Sequence, residues 1–309
     1  MTDAKPHISG LPVLRSLRRV GRLTWVEIRK LVSHKLFPVT AAVTLLVTAG
    51  LGFAAKSFTE GMESGVRFSN YSLWVVSSGI GLRIGTLLLV ALGAMAMSTE
   101  ATGRTLNTML TRPIRRIEFV LAKVLSLVFA TAVVVLAAAL ASYIVGGTVQ
   151  ERSPRVTWNA DRPEASWKFP SYSDLIDPEY PDLLIASRAK IMGNILFGFA
   201  LLVVPVLAAV SVGFLLGTLI DSTGLAIGLS VGAFVTLEAT KVIPMFEEHL
   251  GRLAFNYPIT RISTLMLEAG NGTVPQWHDA IVGVGVSAIY VAVCLVISVL
   301  VFCRRDITL

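Results

Sequence analysis

Charged residues within otherwise apolar stretches include Arg83, Glu238 and Lys241, and their side chains are well placed to act on a charged partner. Arg83 stands in the middle of residues 71–97, where an unpaired charge is costly. We expect it to face the interior of a helix bundle, a cavity or an acidic partner, and either a structural role or contact with an anion would satisfy it. Glu238 and Lys241 are three residues apart near the end of another apolar stretch, so they can pair on one helix face. We interpret that pair as structural.

The familiar patterns of catalysis and metal binding are missing from the sequence. There is no HExxH metal motif, no GxSxG nucleophile motif and no GxxxxGK[ST] phosphate loop, so the chain is not expected to hydrolyse ATP. Cys294 and Cys303 are nine residues apart in one apolar stretch, where a helix would hold them too far apart for a disulfide. We therefore expect no catalytic, cofactor-binding or metal-binding residue in this chain.

The amino-acid composition indicates whether water or lipid surrounds the chain. The chain has 309 residues, of which 54% are hydrophobic and only 15% are charged. Soluble domains are nearer to about 25% charged, so lipid is expected to be the main solvent. Six apolar segments have roughly the length needed to cross hydrocarbon at about 1.5 Å per residue. They cover residues 36–54, 71–97, 120–146, 191–220, 225–243 and 280–302. The predicted fold is an all-α integral membrane protein with six transmembrane helices.

Residues 1–35 predict a helix of a different kind. From Pro12 to Lys35 apolar side chains are mixed with basic ones, among them Arg29 and Lys30, and Trp25 lies between them. This mixture is typical of an amphipathic helix in the headgroup layer, with its basic side chains toward anionic lipid. A helix packed on a soluble partner remains the alternative. The residues before it lack a signal-peptide pattern, so we expect them in the mature protein.

The distribution of Lys and Arg predicts the orientation. With the N-terminus inside, the inner parts hold fifteen Lys and Arg against six Asp and Glu, and the outer parts hold eleven against fourteen. This asymmetry predicts cytoplasmic N- and C-termini, including the tail 303–309. The distribution of the charged residues is thus explained by orientation in the membrane. The net charge of +7 therefore does not indicate a nucleic-acid partner, and none is expected. Outside, residues 147–190 predict a small ordered cap, and residues 244–279 predict short helices on the membrane surface or dipping back into it.

Residues 98–119 form a polar, basic island between two spans. It is the only sizeable inner connection between spans, because residues 221–224 provide only a turn between the fourth and fifth. Residues 102–110 can form about two helical turns, which Pro113 ends. That helix groups three apolar side chains on one side: Leu106, Met109 and Leu110. A basic loop held by anionic lipid is the plain alternative, but the apolar face favours a docking surface for a cytoplasmic partner.

The island resembles the cytoplasmic coupling segment of ABC-2 type transporter permeases. The resemblance is carried by the order Glu100, Gly103, Thr105, Leu106, Leu110, Pro113, Arg116 and Glu118, with Lys123 leading into a span. The closing FCRRDITL of residues 302–309 is similar to the tail of the family's single-domain permeases. An amphipathic helix before six spans is similar to its elbow helix, so the resemblance covers nearly the whole chain.

The resemblance implies a fold like that of type V exporters and a division of labour between subunits. Such a permease is not itself an enzyme; it works in the plasma membrane as two copies with two ATP-binding subunits, which bind the ATP and Mg. The residues implied in coupling to that ATPase are Glu100, Gly103, Thr105, Leu106, Met109, Leu110 and Pro113. Arg83, Glu238 and Lys241 would then belong to the transport pathway or to pairing within the membrane, and Arg83 could meet an anionic cargo.

Other classes of membrane protein remain as alternatives. An ATP-independent secondary transporter would be expected to show matching halves with interrupted helices or a cluster of intramembrane acids, and the sequence has neither. An integral membrane structural or assembly protein needs no such feature. The identity of the cargo is not indicated by any motif.

Overall fold

The computed structural model describes residues 11–61, 70–102, 116–148, 175–176, 184–241 and 254–304. Within these ranges the chain is helical apart from two short antiparallel strands, β1 (Leu175–Ile176) and β2 (Leu184–Ala186). The predicted all-α architecture is confirmed for the described part of the chain. The helices are α1 (Leu11–Ser33), α2 (Leu36–Gly61), α3 (Asn70–Thr102), α4 (Arg116–Thr148), α5 (Arg188–Leu219), α6 (Thr223–Thr240), α7 (Tyr257–Gly270) and α8 (His278–Arg304).

Six of the described helices are long and apolar enough to cross a membrane: α2, α3, α4, α5, α6 and α8. They match the six predicted spans in order. One difference in bounds concerns the island, because α3 continues to Thr102 and α4 already begins at Arg116. Residues 98–102 and 116–119 are therefore helical, and residues 103–115 lie outside the described part of the chain.

The spans pack as an antiparallel bundle with two distinguishable ends. At the end called here the α1 end, α1 packs mainly on the start of α4, beside the last turn of α3. At the opposite end, the α7 end, the hydroxyl of Ser72 donates to the side-chain oxygen of Asn271, just after α7. The predicted N-terminal helix is confirmed as a helix, with Trp25 exposed on its surface. Its position in the headgroup layer stays a prediction.

The centre of the bundle is formed by α3, α4 and α5. Trp74 of α3 is buried, and its indole N–H donates to the backbone oxygen of Ala139 in α4 at 3.0 Å. Its ring lies 5.1 Å from that of Tyr143 and 5.9 Å from that of Phe199 of α5, measured between centroids. Such aromatic pairs add to the burial that joins these helices.

Two glycines let α5 approach α3 closely. A Cβ atom added at Gly213 would lie 2.4 Å from the backbone oxygen of Val90, and one at Gly217 would lie 2.1 Å from that of Ala94. Gly213 and Gly217 have the GxxxG spacing that is typical of such close helix contacts. On α6, by contrast, the similarly spaced Gly224, Gly228 and Gly232 face open space within this chain.

The helix α7 holds its apolar side chains inside the protein. Ile262, Leu265 and Met266 are fully buried, and the helix packs on α5 and α3. A short helix was expected within residues 244–279, and α7 confirms it. Its apolar face, however, is covered by the chain's own spans. Of the predicted cap at residues 147–190, the described part consists of the last two residues of α4, β1, β2, Ser187 and the first residues of α5.

Candidate functional site

A buried lysine connects three helices at the α1 end. Lys123 lies two turns into α4, and its side chain is only 4% exposed. An ammonium group at such a position must be paired with acids, because burying a lone charge is strongly unfavourable. Two carboxylates meet it, one from α1 and one from α3: Glu27 at 3.1 Å and Glu100 at 3.0 Å from its Nζ atom.

Glu27 reaches this position because it lies on the apolar stripe of α1. Leu23 and Leu31 lie one turn before and after it on the same face and are partly buried, and α1 packs mainly on α4. The carboxylate is 9% exposed. An acid in the middle of an apolar helix face indicates a buried cationic partner, and Lys123 is that partner.

Glu100 joins a second lysine to the group. It lies in the last turn of α3, is 5% exposed, and its Oε1 atom accepts hydrogen bonds from Lys30 of α1 as well as pairing with Lys123. Glu27, Lys30, Glu100 and Lys123, called here the Lys123 cluster, thus balance two positive charges with two negative ones.

Lys30 is half exposed, and its pKa is raised above the ordinary value of 10.5. Burial alone would lower that pKa, but the hydrogen bond to Glu100 and the negative charges of Glu100 and Glu27 outweigh it. Because the folded pKa is the higher one, the stabilisation from Lys30 is complete below pH 10.5. It is lost only as the pH rises through the raised pKa.

The surroundings of the Lys123 cluster fix it further. The Nζ atom of Lys123 lies 5.1 Å from the ring centroid of Phe119, which stacks on Phe302 of α8 at 5.9 Å. Arg116 donates to the backbone oxygen of Cys303 at 2.9 Å, placing a positive charge at the C-terminus of α8. A cavity of about 90 Å³ lies beside the cluster, lined among others by His34, Leu92, Met95 and Thr99.

A second polar group, called the Lys241 cluster, lies at the α7 end. The predicted pair of Glu238 and Lys241 is confirmed, with 2.7 Å between Oε1 and Nζ. Lys241 also donates to the backbone oxygen of Asn256 and to the hydroxyl of Thr260, both at 3.0 Å, and the Asn256 amide donates to Glu238 at 2.8 Å. The pair therefore links the end of α6 to the start of α7, which agrees with a structural role.

Arg83 lies apart from both clusters, on an exposed face of α3. On one side of this face, Gly81 and Gly85 pack against Thr48 and Thr44 of α2. Elsewhere α3 also packs on α6 and α7. No described residue forms a hydrogen bond or an ion pair with the Arg83 guanidinium. The expectation that Arg83 faces the interior of the bundle is not met within a single chain.

The sequence-predicted coupling residues divide into two groups. Glu100 belongs to the Lys123 cluster and is buried, so it acts on α1 and α4 of its own chain. The others lie outside the described residues: Gly103, Thr105, Leu106, Met109, Leu110 and Pro113.

Sequence reasoning also assigned Lys30 to a lipid-facing row of basic side chains, and this needs correction because Glu100 attracts it toward α3. It missed Glu27, and it treated Lys123 only as a residue leading into a span. Two signals could have revealed them. Glu27 interrupts an apolar stripe, and Lys123 stands inside an apolar span.

The fold defines the class of protein: six long apolar helices are those of a multi-pass membrane protein. The profile of a protein family matches residues 32–308, which is most of the chain, so this protein belongs to that family, described as "Protein of unknown function (DUF2705)". No curated protein matches the chain.

Proposed function

We propose that this chain is the permease subunit of an ATP-binding cassette exporter. In this proposal two copies span the plasma membrane, with their termini in the cytoplasm and lipid around them. Separate ATP-binding subunits bind the ATP and Mg and drive the permease through residues 98–119. The chain itself carries out no catalysis, and no nucleic acid takes part.

The observation that carries this proposal is the Lys123 cluster. The segment 103–115 is bounded by α3 and α4, and the cluster joins these two helices to each other and to α1 through Glu100, Lys123 and Glu27. A force applied to the segment by a partner would therefore act on three helices held together rather than on a loose loop. Transmission through such a rigid unit is what coupling between subunits requires.

The glycine contact between α3 and α5 extends this unit. Because Gly213 and Gly217 bring α5 against the backbone of α3, a displacement of α3 at the α1 end is passed to the centre of the bundle. The opposite end of α6 is fixed to α7 by the Lys241 cluster. These contacts support a bundle in which a few rigid helix pairs move against one another.

The test is assembly with an ATP-binding subunit, beginning with one encoded beside this chain. The two proteins should co-purify, and Leu106→Asp with Leu110→Asp should abolish both co-purification and stimulation of the ATPase. The matched control is Asn107→Asp with Thr108→Asp, which adds the same charges on the other side of the predicted helix and should leave assembly intact. If assembly survives the leucine substitutions, or if no ATP-binding subunit associates, the proposal is wrong.

A further inference from the structure

Arg83 carries a charge deep inside a span. At about 1.5 Å per residue it lies about 20 Å along α3 from Asn70 and about 28 Å from Thr102. The hydrocarbon layer is about 30 Å thick, so neither end of the helix is near. A guanidinium at this depth is costly unless water, an anion, a carboxylate or backbone carbonyl oxygens meet it.

No carboxylate of the described spans lies at that depth. The helices α3, α4, α6 and α8 contain one acid each, and each acid lies within one turn of a helix end. These acids are Glu100, Glu118, Glu238 and Asp279. Those nearest the membrane interior are already paired in the two clusters. A second copy of the chain would bring the same acids in the same places, so pairing of Arg83 across a dimer finds no partner among them.

The face around Arg83 suits an amphiphilic anion. Ile80 precedes Arg83 by three residues on α3 and is 40% exposed, and Ile84 is exposed beside it. A guanidinium offers a planar set of donors that matches carboxylate, sulfate or phosphate oxygens. Because α3 packs against several other helices of the bundle, the backbone that carries this cation is held in a fixed position.

We propose that the Arg83 face of α3 lines a water-filled part of the transport path, and that Arg83 binds an anionic group of the cargo. The cargo class is then an organic anion, whose charged group meets Arg83 and whose apolar part meets Ile80 and Ile84. This inference rests on the proposed transport function, but it makes a separate claim about which cargo the path accepts.

The test is chemical accessibility in intact membranes, which needs neither the cargo nor the ATP-binding subunit. In a background of Cys294→Ser and Cys303→Ser, Ile80→Cys is treated with two water-soluble thiol reagents. One is the anionic sulfonatoethyl methanethiosulfonate and the other its cationic trimethylammonium analogue. The matched control is Leu136→Cys on α4, an exposed position at a similar depth, about 18 Å from Thr148.

Ile80→Cys is expected to react with both reagents and faster with the anionic one, whereas Leu136→Cys reacts with neither. Adding Arg83→Gln should lower the anionic-to-cationic rate ratio about fivefold, the effect of one charge about 8 Å away in water. Arg83→Lys should keep most of the ratio.

If Ile80→Cys reacts only with membrane-permeant N-ethylmaleimide, Arg83 faces lipid or a sealed protein interface and the inference is overturned. An unchanged ratio in Arg83→Gln overturns it as well. Either result leaves the co-purification test of the proposed function untouched, so the two failures can be told apart.

Discussion

Lys123 shows how a buried charge can hold a membrane protein together near its surface. Its ammonium is almost enclosed, yet it meets two carboxylates and the face of Phe119. Removing one member of such a group is more damaging than removing a balanced pair, because the remaining charges stay buried without compensation. The order of stability among variants therefore distinguishes a buried network from surface ion pairs.

We predict that Lys123→Met destabilises the protein by about 3–5 kcal/mol, because it leaves Glu27 and Glu100 facing each other in a buried site. Adding Glu27→Gln should recover part of this loss, since Glu100 keeps Lys30 as its partner. Lys30→Gln alone should have a smaller effect because Lys30 is half exposed. Melting curves of the purified protein in detergent measure all three. Equal melting of Lys123→Met and the unsubstituted protein would show that the cluster contributes nothing.

Among elements, the contact between α3 and α5 is sensitive to added side-chain volume. Gly213 and Gly217 face backbone atoms, which cannot move aside as the end of a flexible side chain can. The spacing of Gly213 and Gly217 was readable from the sequence, but the partner helix was not. Any of several spans could have packed against these two glycines. Only the packing of the whole bundle determines that α3 does so.

We predict that Gly217→Ala destabilises the bundle by about 1–3 kcal/mol, because the added methyl group meets the backbone of Ala94 and forces the helices apart. Gly228→Ala is the matched control on α6, where an added Cβ meets nothing within 4 Å. That variant should melt at or slightly above the original temperature, since alanine favours the helix. Similar melting temperatures for the two variants would contradict the close contact.

At the scale of the whole molecule, local patterns predicted the spans and missed most of the links between them. Long apolar stretches specify a spanning helix by themselves, which is why α2, α3, α4, α5, α6 and α8 were found in order. The link from Glu27 to Lys123 joins residues 96 positions apart and leaves no periodic trace. The same holds for Asn256 and Thr260, whose part in the Lys241 cluster depends on how α7 packs.

The distribution of Lys and Arg predicts that the α1 end faces the cytoplasm. Cys303 is free and exposed at that end, whereas Cys294 is buried, so the native chain carries its own reporter. A membrane-impermeant maleimide should label Cys303 only after the cells are made permeable. Cys303→Ser should remove the signal and thereby identify its source. Labelling of intact cells would reverse the predicted orientation.

The short turn between α5 and α6 has a consequence for biosynthesis. With 18 residues α6 is about 27 Å long, slightly less than the hydrocarbon thickness, and it has the lowest mean hydropathy of the six spans. Only Ile220, Asp221 and Ser222 separate it from α5, which is long and strongly apolar. As the chain leaves the ribosome, α6 is therefore expected to enter the bilayer together with α5 as a helical hairpin. The affinity of α5 for lipid would then compensate for the shorter length and lower mean hydropathy of α6.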